Sequence, residues 1–269
     1  MNMKRILVLA LVLLMALSSA AFAADGSVEA IVEKGTFILG LDDSFPPMGF
    51  RNEDNEIVGF DIDLAKEVAA RLGVELILQP IDWAAKEMEL SSGNSDCIWN
   101  GMSITPEREQ SMSMSFSYMN NQIMLYAGKD AGITSLGDMA GKKLPVQAGS
   151  FAEEVLTTYE QYADFEASLD ETLAYEDYLT AIMDVQSGNV DAVLIDKVVA
   201  EYRLAAMGAD DLIPVVSLED DNYGIGFRKA DVDLRDKVEE ILVEMKKDGK
   251  LAEIAAVWFG EDISTVPEA

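Results

Sequence analysis

An α/β protein with mostly parallel sheets is what this sequence predicts, on three observations. Strand-like apolar runs alternate with segments whose apolar residues recur at helical spacing, and a second block repeats the alternation from residue 144 onward. The chain of 269 residues has ample core to bury and fits one large or two medium domains. It holds one cysteine, Cys97, so no internal disulfide can stand in for core burial.

The elements follow in order. Thr36–Leu41 (TFILGL) reads as a buried strand. It stops at Asp42-Asp43-Ser44-Phe45-Pro46-Pro47, where two prolines keep strand or helix from continuing. Residues 61–72 form a helix: Leu64, Ala65, Val68, Ala69 and Leu72 share a face, acids occupy the first turn, and Gly73 ends it. A strand at 74–79, a helix at 83–90 and a short buried strand at 97–99 complete the first block. The second block holds a strand at 144–147, helices at 152–162 and 175–186, a strand at 192–195 and a helix at 197–206. A strand at 223–227 leads into a long amphipathic helix at 232–248, closed by Gly249, and a final helix at 250–258. No Pro- or Ser-rich linker separates the blocks, so their joint is expected to be short, a pair of crossing strands.

The start of the chain reads as an export signal. Lys4 and Arg5 precede an apolar run over residues 6–17, and Ala21-Phe22-Ala23 has the small-x-small pattern of a cleavage site, so residues 1–23 are expected to be a signal peptide. The run is shorter than the roughly 20 apolar residues of a spanning helix. No cysteine follows it to accept a lipid, so the mature chain is expected to diffuse freely in a periplasm, with no membrane insertion after cleavage. The sequence carries 49 acidic against 20 basic residues, a net charge of −29. That excess argues against nucleic acid or anionic surfaces as partners and suits a soluble secreted protein. There is no histidine, which excludes His-based acid–base catalysis, the Ser-His-Asp triad and His-containing metal sites. No EF-hand loop occurs; neither metal nor cofactor is expected.

Ligands of open α/β sheets sit beyond the carboxyl ends of strands. The positions to inspect are therefore 42–45, 81–83, 100–108, 147–151 and 195–196. In Asn100-Gly101-Met102-Ser103-Ile104-Thr105-Pro106-Glu107-Arg108 a strand ends in a Gly turn, followed by hydroxyls and an arginine. That is a receptor for a carboxylate, through the guanidinium fork and exposed N–H groups. It is equally an N-capped helix with Ser103 or Thr105 as cap and Arg108 in solvent. Asp196 ends a strand, where it can accept from an ammonium group or cap the helix that follows. Phe45 and Trp83 can face one another as walls or pack as ordinary core. Asp42 can meet the far end of a ligand side chain or simply form a turn.

In combination these residues resemble a known family. Gly59-Phe60-Asp61-Ile62-Asp63-Leu64, the 100–108 segment, Phe116-Ser117-Tyr118, Gly141-Lys142-Lys143, Asp191-Ala192-Val193-Leu194-Ile195-Asp196, Tyr223-Gly224-Ile225-Gly226-Phe227 and Trp258-Phe259-Gly260 run in the order seen in bacterial extracellular solute-binding proteins for polar amino acids. The resemblance implies a type II periplasmic-binding-protein fold: two α/β lobes joined by two crossing strands near 118–122 and 219–223. Lobe 1 would comprise residues 24–119 and 222–269, and lobe 2 residues 120–221. It implies that Arg108, helped by Ser103, pairs with a ligand α-carboxylate, and that Asp196 and the Gly101 carbonyl accept from the α-ammonium. Phe45 and Trp83 would sandwich the side chain, with Gln147 and Ser150 lining the second lobe. Asn100 and Phe151 depart from the usual alanine and small or hydroxylated residue, and either can fill or polarise the pocket. The resemblance implies a monomeric binding component that delivers a polar L-amino acid to the permease subunits of an ABC importer. A dehydratase of prephenate-like acids on the same fold, and a ligand sensor, are the alternatives.

Overall fold

The structure is a computed structural model and describes residues 25–208 and 211–268. The leader expected in residues 1–23 lies outside the described residues. Helix α1 (Ser27–Lys34) precedes β1 (Thr36–Leu41), whose apolar run is buried as its sequence requires. The Pro-Pro segment after it makes a small antiparallel sheet of β2 (Ser44–Phe45), β3 (Gly49–Arg51) and β4 (Ile57–Val58). Helix α2 (Phe60–Leu72) buries Phe60, Ile62, Leu64, Ala65, Val68 and Ala69 against the sheet, each large one contributing about 1.5–3 kcal/mol. Strand β5 (Glu75–Pro80) returns parallel to β1. A 3-10 turn (Trp83–Ala85) and α3 (Lys86–Ser91) follow, then β6 (Cys97–Ser103), α4 (Pro106–Ser111) and β7 (Met112–Met114).

Strand β8 (Met119–Gly128) then crosses into the second block. There lie β9 (Lys143–Gln147), α5 (Phe151–Thr158), α6 (Ala163–Ser168), β10 (Glu171–Tyr175), α7 (Tyr178–Gln186), β11 (Ala192–Asp196) and α8 (Lys197–Met207). Strand β12 (Leu212–Arg228) runs back beside β8, and α9 (Val232–Asp248) and α10 (Lys250–Phe259) close the first lobe. One sheet has the order β11-β8-β12-β6-β1-β5, with β7 on β12 and β9-β10 apart. The βα units pair in parallel (β1 with β5 and β6, β9 with β10), and the two crossing strands pair antiparallel from Met119↔Tyr223 to Gly128↔Leu212. The main core runs through both lobes, from Phe37, Phe60 and Trp99 to Tyr178, Val193 and Val199, and two smaller clusters lie beside it. Ile123, Leu125 and Ala127 of β8, spaced at the strand period, pack with β9, β11 and α5 in the second lobe. Trp83, Leu90, Ile98, Met102, Met112 and Met114 form a small cluster in the first lobe, beside the main core.

Several boundaries differ from expectation: the strand expected over 223–227 begins at Leu212, and the helix expected over 83–90 opens as a 3-10 turn. β6 continues to Ser103, because buried Asn100, Gly101 and Ser103 each find a hydrogen-bond partner and so tolerate burial. Residue 175 ends strand β10; the helix starts at Tyr178, where the Asp177 carboxylate accepts from the Thr180 N–H. The helix expected over 152–162 breaks at Thr158 into a 3-10 turn and α6.

Candidate functional site

The strand ends of both lobes meet around one buried set of side chains. Arg108 lies on α4, whose N-terminus is capped by Thr105: its Oγ1 accepts from the Arg108 N–H at 3.3 Å. The cap is present, but the arginine is not in solvent. Its side chain folds back into the interlobe space at 4% exposure. Arg108 Nη1 donates to the Ser103 carbonyl at 2.8 Å, and Nη2 to the Gly149 carbonyl of the second lobe at 3.3 Å. Burial pushes its pKa down, offset by Glu154, Asp221 and Asp196 nearby.

Asp196 stands opposite, at the end of β11 and 3% exposed. Its carboxylate caps no N–H of α8. Oδ1 accepts instead from Tyr223 Oη at 2.8 Å and from Asn121 Nδ2 at 2.7 Å. Burial, and then the charge of Asp221, raise its pKa.

Gly101 sits at φ +58, a left-handed conformation inside a strand. A Cβ there would lie 2.6 Å from Phe45 Cε1, so both backbone and space demand glycine. Its N–H donates to Asp61 Oδ2 at 2.8 Å, which also accepts from Tyr118 Oη at 2.8 Å. Burial lifts the Asp61 carboxyl to about 7. The signature helix α2 therefore supports the turn from below, and Trp258 Nε1 donates to Asp63 Oδ2 at 3.0 Å on its outer side.

Asp42 does form a turn: Oδ1 accepts from Ser44 N and Oγ. Its other oxygen accepts from Gln147 Nε2 across the cleft at 2.6 Å. Gln147 also donates to the Glu176 carbonyl. Asn100 anchors this loop, its Oδ1 accepting from Asp42 N at 3.2 Å while its Nδ2 lies against Gly49. Phe45 pairs with Tyr178 of the second lobe, ring centroids 6.1 Å apart, whereas Trp83 belongs to the small methionine-rich cluster. Ser150 caps α5 by accepting from the Glu153 N–H. Phe151 packs in the second-lobe core, edge-on to Tyr159.

Asp42, Phe45, Trp83, Asn100, Ser103, Arg108, Gln147, Ser150, Phe151 and Asp196 are thus all buried, along with the Gly101 turn. Several partners escaped the sequence. Asn121 and Asp221 look like poor strand residues in a polar run. Lys86 looks like an exposed helix residue, yet it is 5% exposed. Its Nζ donates to the Gly149 carbonyl at 2.8 Å and lies 5.3 Å from the Trp83 ring. Burial, and then Arg108, lower its pKa to about 8. Arg203 Nη2 reaches the Ser44 carbonyl at 2.9 Å. Tyr118 and Tyr223 were visible only as parts of the signature motifs. Among the described residues no group of acids or cysteine could hold a metal ion, and no helix is long and apolar enough to cross a membrane.

Two α/β lobes, two crossing strands and oppositely charged groups buried between them define a type II solute-binding protein. The chain belongs to the bacterial extracellular solute-binding proteins, family 3, which it matches over residues 37–261. It is 29% identical to an L-cystine-binding protein, TcyJ, of Escherichia coli strain K12, over 96% of this chain and 95% of the relative. It is 33% identical to an arginine-binding extracellular protein, ArtP, of Bacillus subtilis strain 168, over 93% and 96%. A substrate-binding protein of an ABC uptake transporter from Streptococcus pneumoniae, solved with bound histidine, superposes with TM-score 0.80 at 39% identity, covering 88% of this chain and 97% of that one.

Proposed function

We propose that this protein binds a polar L-amino acid between its lobes and delivers it to the membrane subunits of an ABC importer. One observation carries the reading: a guanidinium on the first lobe and a carboxylate on the second, both almost fully buried and facing the same interlobe space. A zwitterion satisfies both ends at once. Arg108 holds the α-carboxylate by its planar fork, with Ser103 beside it. Asp196 accepts from the α-ammonium near the Gly101 turn. Phe45 and Trp83 flank the side chain, Gln147 and Ser150 line the second lobe, and Asp42 favours a side chain carrying hydrogen-bond donors. Asn100 and Phe151 act from behind, through the Asp42 loop and the packing of α5.

The lobes, residues 24–119 with 222–269 and residues 120–221, hinge at 118–122 and 219–223. The protein works as a monomer outside the cytoplasm, released from its leader after Ala23, and turns nothing over. The amino-acid names of the relatives support the ligand class, and the family supports the location.

Thermal-shift screening of the twenty amino acids with ornithine, citrulline and cystine is the direct test. At least one L-isomer is expected to raise the melting temperature, its D-isomer is not, and Asp196→Ala is expected to abolish the rise while still folding. A screen with no hit, or turnover of prephenate, would overturn the reading.

A further inference from the structure

The crossing strands bring a second carboxylate to the ammonium end. Asp221 of β12 stands opposite Asn121 of β8 in the strand register. One nitrogen, Asn121 Nδ2, donates to Asp196 Oδ1 at 2.7 Å and to Asp221 Oδ2 at 2.9 Å. An amide nitrogen has two hydrogens, so both serve to hold two acids side by side. Ser103 Oγ donates to Asp221 Oδ2 at 3.0 Å and the Asn222 N–H to Oδ1 at 2.7 Å. Both acids are 3% exposed, and the donors holding them are all neutral. Arg108, whose charge both feel, directs its Nη1 and Nη2 to carbonyls instead. Two negative charges side by side and almost fully buried, held only by neutral donors, are costly to maintain together. A shared proton relieves the repulsion, and so does a cation from outside the chain.

We propose that Asp221 belongs to the ligand site: with Asp196 it forms a two-carboxylate cradle that holds one proton, and the proton leaves for solvent as the ligand ammonium arrives. The proposal rests on the amino-acid reading. Asp221 and Asn121 also line a cavity of about 650 Å³ on the hinge, which gives the proton a way out. Facing the pair are Arg108 of α4, Tyr178 of α7 and Tyr223 of β12, with Lys197 and Glu201 of α8 and Asp220 of β12 around the cavity. Burial is the first cause raising both carboxyls, and for Asp196 the Asp221 charge is the second.

Calorimetry with L-arginine, L-histidine and L-cystine, in two buffers of different ionisation enthalpy, counts the protons. Wild type is expected to release up to one proton at pH 6, its affinity rising by up to about tenfold per pH unit between pH 5 and 7. In Asp221→Asn the release at pH 6 falls toward zero and the affinity rise moves at least a unit lower. Asp221→Thr, neutral and smaller, repeats the comparison. No release from wild type, or equal release from the variants, overturns the cradle. If no amino acid binds, the amino-acid reading fails instead, and ligand-free melts decide on the pair. Carboxyls with raised folded-state pKa lose stability as pH rises, so the melting temperature of Asp221→Asn should gain at least about 2 °C on wild type between pH 5 and pH 8. A constant difference overturns the shared proton.

Discussion

Arg108 and Asp196 share one property, burial with a charge. Each was ambiguous in sequence because an N-terminal helix turn uses the same residue types. The structure separates the two roles: Thr105 makes the cap at α4, and Asp196 makes none at α8. A fork held by two carbonyls has its direction fixed, and lysine keeps the charge but not the planar geometry. Arg108→Lys should therefore weaken amino-acid binding by about 1.5–3 kcal/mol, the range for a charge-assisted hydrogen bond. The decarboxylated amine should bind wild type poorly and lose little more in the variant. Calorimetry of two proteins against two ligands gives the coupling energy, and a value near zero would remove the carboxylate from Arg108.

The elements that join the lobes were the hardest to read, for a physical reason. β8 opens with Asn120, Asn121 and Gln122, and the middle of β12 carries Glu219, Asp220 and Asp221, residues of low strand propensity. Cross-strand pairing supplies what propensity does not: Asn121 meets Asp221, and Gln122 Nε2 donates to Asp220 Oδ1 at 2.9 Å. The buried runs of β1 and β11 and the faces of α2 and α9 were legible, because apolar periodicity reports burial directly. In the 147–151 segment, singled out as a strand end, the role of Gly149 was not legible, since its partner is the other lobe. Gly149 has φ +70, its carbonyl receives Lys86 and Arg108, and a Cβ would lie 2.9 Å from Ala84 Cα across the cleft. Gly149→Ala should weaken ligand binding at least tenfold by obstructing that approach. Gly141→Ala is the control. Gly141 has φ +72 with nothing within 4 Å, so it shares the backbone strain of about 1–2 kcal/mol without the interlobe contact. Equal affinity losses in the two variants would assign the effect to strain rather than to closure.

At the scale of the molecule, the site exists only where the lobes meet. On the proposed reading the carboxylate receptor is on one lobe and the ammonium acceptor on the other, so a ligand on either lobe alone satisfies only one end. Gln147 to Asp42, Lys86 to Gly149 and Arg203 to Ser44 bridge the lobes directly, each a hydrogen bond with a net contribution of about 0.5–1.5 kcal/mol, and somewhat more where one partner is charged. Against them stands the solvation of Arg108, Asp196 and Asp221, which separation of the lobes restores and closure removes. A zwitterion reverses that term by pairing the charges, so its binding energy is larger in the closed form, and only such a difference can shift the equilibrium. On that reading the crossing strands absorb the motion, in the manner of hinged lobes elsewhere. Small-angle scattering should accordingly show the radius of gyration fall when the amino acid found in the thermal-shift screen is added at saturation. Gly149→Ala, at the same occupancy, should contract less. Identical curves for the free and saturated wild type would mean that the lobes stay together without ligand and that the amino acid enters a cleft already closed.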